Sequence, residues 1–359
     1  MKVLYIGHYK DGTGWGDAAI NNILAMDSAG IEVVPRAITY NNGDSEVPER
    51  IKQLELKTSK GCDVCVQHTL PVNYTYNSNF KNIGFVATES ENFKDSGWQK
   101  NLNIMDEVWV PSQYSKDSCI NSGVTSKVNI VPHSLDVECY KQNTNGNKIQ
   151  ELLNTFNFGF IGEFIERKNV KALIRAFHSE FTQREPVNLF IKTSNTNLES
   201  FKKYCDSIKK GLKLRNNYKE EVVICGRLDR KDYISVLSQC HCFVMPSRGE
   251  GFCIPALEAM SAGVPSLFTS GIALEEFCTG SSVESYSEPC FGGVESLGNL
   301  YTANSDWKEI SVKDLQRKMR EAFENRKNTE QIKQQCYEQA SKYSHRNVGK
   351  KIKEILNDS

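Results

Sequence analysis

No stretch of 18 consecutive apolar residues occurs in this 359-residue chain, so no membrane-spanning helix is expected. The opening Met1-Lys2-Val3-Leu4-Tyr5-Ile6-Gly7 reads directly as a strand, with no charged leader, apolar core or small-residue cleavage site. Net charge is missing too: Lys plus Arg and Asp plus Glu stand at 44 each, and no global field draws the protein to nucleic acid or an anionic bilayer. No internal repeat or low-complexity tract is present. Cysteine is not scarce, but 12 thiols without a secretory signal fit a reducing compartment better than disulfides. Cys62-Asp63-Val64-Cys65 has no second matching pair, and it and the Cys240/Cys242 pair read as buried structural thiols. A soluble, cytoplasmic protein without a bound metal is the expectation.

A dinucleotide fingerprint is also lacking. Tyr5 to Asp17 forms a strand, a glycine-rich loop and the start of a helix through Ala29. Its Gly12-x-Gly14-x-Gly16 spacing differs from G-x-G-x-x-G, and no acidic residue ends the next strand, Ile31 to Pro35. An NAD enzyme is therefore disfavoured. Trp15 within the loop is placed either to stack on a ring or to pack internally.

What is present is a rhythm of short apolar runs and helical stretches: Val3–Gly7, Ile31–Pro35, Asp63–Gln67, Asn82–Ala87, Glu107–Pro111 and Val128–Pro132. Such alternation predicts a parallel sheet covered by helices on both faces. The polar segment Lys141 to Asn147 reads as a linker, after which the alternation resumes from Thr155 to Phe268. The expected fold class is α/β with two Rossmann-like domains, residues 1–140 and 150–344. A last amphipathic piece, 345–357, carries Val348, Ile352, Ile355 and Leu356 on one face.

Two segments carry chemistry. Arg248-Gly249-Glu250-Gly251-Phe252-Cys253-Ile254-Pro255-Ala256-Leu257-Glu258 sets two carboxylates around a glycine turn that opens a helix. The N–H groups of Gly251, Phe252 and Cys253 at the positive end of that helix suit hydroxyls or phosphate oxygens. The alternative makes Glu250 a capping carboxylate and Glu258 a surface residue, but Glu258 lies in an otherwise apolar run where an unpaired carboxylate is costly. Upstream, Phe158 to Val170 is a buried strand and a glycine turn bearing Arg167 and Lys168 ahead of a helix. A planar fork and a compact charge there suit a diphosphate, though such pairs also occur as solvated surface. Between the two, Val222 to Leu228 is a strand ending in a glycine loop.

The glutamate motif resembles the donor site of the retaining family-4 glycosyltransferases of GT-B architecture. The resemblance implies two Rossmann-like domains facing each other across a cleft, with the terminal helix 345–357 crossing back onto the first. It implies a nucleotide-sugar donor, a UDP- or GDP-sugar, and no further cofactor. Glu250 would contact the sugar and Glu258 the ribose, Arg167 and Lys168 would hold the diphosphate, and Arg227 and Leu228 would lie by the base. Gly14 and Gly16 would press against the donor phosphates or the acceptor. On the acceptor side Glu89 is favoured as catalytic carboxylate, where many relatives carry histidine; His68, His133 and Trp15 are further candidates there. The acceptor is left open among glycan, lipid, protein and modified DNA base, the last suggested by the Lys202 to Lys219 patch. A sugar-nucleotide epimerase of the same fold and a non-catalytic sugar-binding module are the other rivals.

Overall fold

The computed structural model describes residues 1–39, 45–142, 146–194, 197–292, 299–326 and 329–358. The first sheet is built from β1 (Lys2–Gly7), β2 (Glu32–Ala37), β3 (Val64–His68), β4 (Lys81–Phe85), β5 (Glu107–Val110) and β6 (Lys127–Ile130), all parallel, in the order β2-β1-β3-β4-β5-β6. β3 and β5 are buried along their whole length. That is the pattern of strands covered on both faces, and it explains why they read as apolar runs.

The second sheet comprises β7 (Phe156–Ile161), β8 (Val187–Thr193), β9 (Val222–Cys225), β10 (Cys242–Met245), β11 (Ser266–Thr269) and β12 (Gly280–Val283), again parallel, in the order β12-β11-β10-β7-β8-β9. β13 (Ser285–Pro289) and β14 (Asp306–Ile310) form a separate antiparallel pair. Strand order reverses between β1 and β3 in the first sheet and between β7 and β10 in the second. The carboxyl ends of the strands at such a reversal are the usual ligand position of doubly wound sheets.

The chain divides into two compact units. The first holds the described residues of Met1–Asp136 with 299–305 and 341–358; the second holds those of 137–292 and 306–340. Two expectations need correction. Residues 137–140, placed by sequence in the first domain, and Lys141–Gln142, read as the start of the linker, form a short helix of the second unit with Tyr140 fully buried, while 143–145 of the expected linker lie outside the described residues. Residues 299–305, placed by sequence in the second domain, belong to the first. There Leu300 and Tyr301 pack against Phe93 and Trp98, and Ser305 both donates to the Asn92 carbonyl and accepts its N–H. Burial of Leu300 and partial burial of Tyr301 outweigh their setting in a glycine- and serine-rich stretch.

The carboxyl-terminal helix His345–Asn357 lies against the helix Gly14–Ser28, its Val348, Ile352 and Leu356 sharing a core with Tyr5, Ile23 and Met26. Gly349 permits the close approach, since a Cβ there would stand 2.1 Å from the Ala25 carbonyl oxygen. Cys65 and Cys240 are free, buried thiols, pushed by burial up to about 11 and about 12. Gly349→Val is expected to destabilise the first domain by about 1–3 kcal/mol through overpacking, read from the midpoint of denaturant unfolding.

Candidate functional site

At the switch point of the second sheet, the loops after β7 and β10 meet. Beyond β7 the backbone makes a single 3-10 turn, Glu166–Lys168, ended by Asn169 in the left-handed region at φ 50°. The helix Val170–Glu180 follows. Asn tolerates this conformation better than most residues, and its amide is held by Glu309 at 3.0 Å. The turn delivers Arg167 and Lys168 to the loop after β10. Lys168 Nζ donates to Glu250 Oε1 at 2.6 Å, and Arg167 Nη1 lies 3.3 Å from the same oxygen and donates to the Gly249 carbonyl at 2.8 Å. Glu250 is only 5% exposed. Burial raises its pKa, but Lys168 and Arg167, helped by Ser247, outweigh that and hold the carboxyl below its ordinary value. Two cations against one buried carboxylate leave the pair suited to a further anion.

The neighbouring Arg248 was quoted within the motif but given no role by sequence reasoning, and it clamps the same loops. Its backbone N–H donates to the Arg167 carbonyl at 2.7 Å and its Nε to Glu309 at 2.5 Å, and its Nη1 donates to the Glu166 carbonyl. The guanidinium lies 4.8 Å from the centroid of Phe291. Cys253, at φ 85°, precedes the helix Ile254–Ser261, and Phe252 stacks on Phe277 at 4.4 Å. Gly251, Phe252 and Cys253 thus lie at a helix amino terminus.

Glu258, inside that helix and 6% exposed, is occupied by residues that sequence reasoning missed. Tyr140 donates to its Oε1, Arg230 reaches the same oxygen at 3.1 Å, and Tyr233 donates to Oε2 at 2.5 Å. Burial, then the Glu258 charge, raises Tyr140 well above the usual phenol range, so it stays a donor. Arg230 also covers the Tyr140 ring at 4.9 Å. Arg227 and Leu228 follow β9 and Gly226, whose φ is 85°, with Arg227 exposed.

In the first domain Gly14 and Gly16 are not loop residues. Thr13 caps the helix by accepting the Gly16 N–H at 3.2 Å, which draws both glycines into the first turn. At the β1/β3 switch point His68 is buried, with Nδ1 2.6 Å from the Tyr5 hydroxyl and its ring 4.3 Å from Phe85, 5.7 Å from Trp15 and 6.2 Å from His133. Burial, with His133 and His8 adding to it, lowers the His68 pKa well below the ordinary imidazole value; burial takes His133 down to about 3. Both rings are neutral near pH 7. Glu89 is half-buried and accepts from the Tyr301 hydroxyl.

The basic segment is not one solvated face. Lys209 is buried between Glu221 and Asp206, 3.1 Å from each, and Glu221 is also 2.5 Å from His178. Arg215 and Lys219 donate to the backbone carbonyls of Phe181 and Val187, each at 2.7 Å. A DNA-phosphate role is therefore withdrawn for Lys209. Among the described residues no group of three or more His, Cys, Asp or Glu could hold a metal ion, and no helix is long and apolar enough to cross a membrane.

The family model described as "Glycosyl transferases group 1" matches residues 155–286, the span from β7 through β12 with both loops of the switch point. Over these residues the chain is similar to that family. A serotype-specific mannosyltransferase, WbdA of Escherichia coli, is 29% identical over 185 residues, 51% of this chain and 19% of the relative. An uncharacterized glycosyltransferase of Bacillus subtilis (strain 168), YqgM, is 29% identical over 165 residues, 45% of this chain and 42% of its own. The chain thus spans about a fifth of the length of the first curated relatives it matches. Among solved structures, Anabaena Alr3699/HepE in complex with UDP and glucose aligns with a TM-score of 0.68 at 14% identity, covering 100% of both chains. Sucrose-phosphate synthase from Thermosynechococcus elongatus aligns at 0.66 and 13% identity, covering 100% of this chain and 98% of that one. At such identities the likeness is one of fold. The two parallel sheets and this likeness give an α/β, GT-B fold with two Rossmann-like domains.

Lys168→Met removes the nearest cation from Glu250. A lowered carboxylate pKa contributes stability above its unfolded value that is lost as pH falls through the folded value. In the variant, burial acts with less opposition and the Glu250 pKa rises, so the stability gap between wild type and variant should widen from about pH 4 to about pH 7. Urea unfolding across that range checks it; a constant gap contradicts the pairing.

Proposed function

We propose that this chain is a retaining glycosyltransferase that moves a sugar from a nucleoside diphosphate sugar, a UDP- or GDP-sugar, to an acceptor hydroxyl. The observation that carries the reading is the Arg167, Lys168 and Glu250 cluster at the switch point of the second sheet. In the proposed reaction the bond from the anomeric carbon to the donor's phosphate oxygen breaks, and the diphosphate leaves with the electron pair. Arg167 and Lys168 stabilise that charge in a largely water-excluded site. The acceptor oxygen bonds to the anomeric carbon on the face the diphosphate vacates, and its proton passes to a phosphate oxygen. Glu250 serves the sugar, keeping the two cations aligned until the donor arrives. Glu258 serves the ribose, and Gly251, Phe252 and Cys253 offer the helix terminus.

Gly14 and Gly16, with Arg227 and Leu228, belong to the same donor proposal. Glu89, with Trp15, His68 and His133, is proposed for the acceptor side. A glycan, lipid or protein acceptor is favoured over a DNA base, because Lys209, Arg215 and Lys219 are already engaged within the domain. A cytoplasmic location is part of the proposal, consistent with the buried free thiols of Cys65 and Cys240.

Replacing Arg167 and Lys168 together by Ala should lower turnover at least about 100-fold, the scale of losing leaving-group stabilisation. Near-normal turnover in a folded double variant would sink the assignment. Glu258→Gln should weaken binding of the free nucleoside diphosphate at least about fivefold, on the scale of a charge-assisted hydrogen bond. Calorimetric affinity equal to wild type would remove the ribose role.

A further inference from the structure

At the amino-terminal ends of β7, β10, β11 and β12 the second domain holds a cavity of about 560 Å³ beneath the helices Val312–Glu324 and Thr329–Ser341. Its size falls in the range of small-molecule sites, roughly 300–1,000 Å³. β7 is six residues long. At a rise of about 3.3 Å per residue, the cavity and the Arg167 loop lie at opposite ends of that strand, about 17 Å apart along it. This space is no part of the site described above.

The lining is amphipathic. Phe156, Leu267 and Ile332 give it an apolar side, and Lys318, Arg326, Lys333 and Glu321 a charged one, where Glu321 pairs with Arg317, Lys333 with Glu330 and Lys318 with Asp314. A second recess of about 470 Å³ shares Phe156, His241 and Arg326, so these residues stand between the two spaces. His241 Nδ1 accepts the Asn157 backbone N–H at 3.1 Å, which fixes the ring proton on Nε2 and makes that nitrogen a donor. The His241 ring stacks on Phe156 at 5.0 Å. The exposed Arg326 lies over the Phe323 ring at 4.4 Å, and its Nη1 donates to the Phe323 carbonyl at 2.7 Å. Among the described residues no carboxylate pairs with it. A fixed donor and a guanidinium beside an apolar wall are the elements that recognise an anion carried on a ring.

We propose that this cavity is a second ligand site, separate from the donor site, for a small anion on a flat apolar body: the anionic group on Arg326 and His241 Nε2–H, the ring along Phe156 and Ile332. The site depends on no step of the proposed transfer reaction, so either can fail without the other.

The test titrates phenyl phosphate into the full chain by calorimetry, with phenol and inorganic phosphate as controls. Phenyl phosphate should bind with Kd on the order of 1 mM, and each control at least about tenfold more weakly. Arg326→Glu and the cavity-filling Ala322→Trp should each weaken phenyl phosphate at least about tenfold. The Arg167→Ala, Lys168→Ala double variant should bind it as wild type does. If Arg326→Glu fails to fold, Arg326→Gln keeps the contact with Phe323 while removing the charge, and should show the same direction of change. The proposal is overturned by no binding up to about 10 mM. It is equally overturned by unchanged binding in a folded Arg326 variant, or by loss of binding in the Arg167 and Lys168 double variant.

Discussion

Glu250 is a carboxylate taken out of water, and the chemistry of the second domain depends on how it is neutralised. An unpaired charge at such a depth would cost several kcal/mol, which the fold cannot bear alongside its small net stability. Lys168 and Arg167 meet the need from the loop after β7, so the pairing ties together the two loops that the strand order separates. Arg248 repeats the device beside it, with Glu309 of β14 as its partner, and the Lys308 N–H donates to the Arg248 carbonyl at 2.7 Å. The antiparallel pair β13 and β14 is thereby joined to the site. Basic residues held in place by buried acids are preorganised to meet a phosphate without reorganising when it arrives.

The two sheets solve one topological problem twice with different contents. In the second, the reversal point collects charge. In the first it collects rings: His68, Phe85, His133 and Trp15 around β1 and β3, with neutral imidazoles enforced by burial. Paired cations favour binding of an anion, and ring faces favour a sugar or another flat apolar surface.

Much of this was legible in the residues. β3 was placed at Asp63–Gln67 and found at Val64–His68, and every other first-sheet run lay within two residues at either end, because strands buried on both faces are continuous apolar runs. The Arg167, Lys168 and Glu250 loops were marked by glycine. Their mutual contact spans 82 residues and could come only from the resemblance or the structure. What stayed hidden depended on partners far apart in sequence. Tyr140 was counted as the last residue of the first domain, beside the expected linker, until Glu258 gave its hydroxyl an acceptor. Lys209 looked like one of many surface lysines, yet Glu221, twelve residues on, draws it inward. Thr13 moved a helix start by a single side-chain hydrogen bond that no periodicity reports.

The central claim is that the cations at the second switch point serve to cleave a nucleotide-sugar. Incubating the full chain with a panel of UDP- and GDP-sugars, and following the anomeric proton by NMR, tests it most directly. The account predicts that at least one donor is cleaved, releasing nucleoside diphosphate and giving a first-formed product with the donor's own anomeric configuration. Failure of every donor to be cleaved, or a product of inverted configuration, would contradict it.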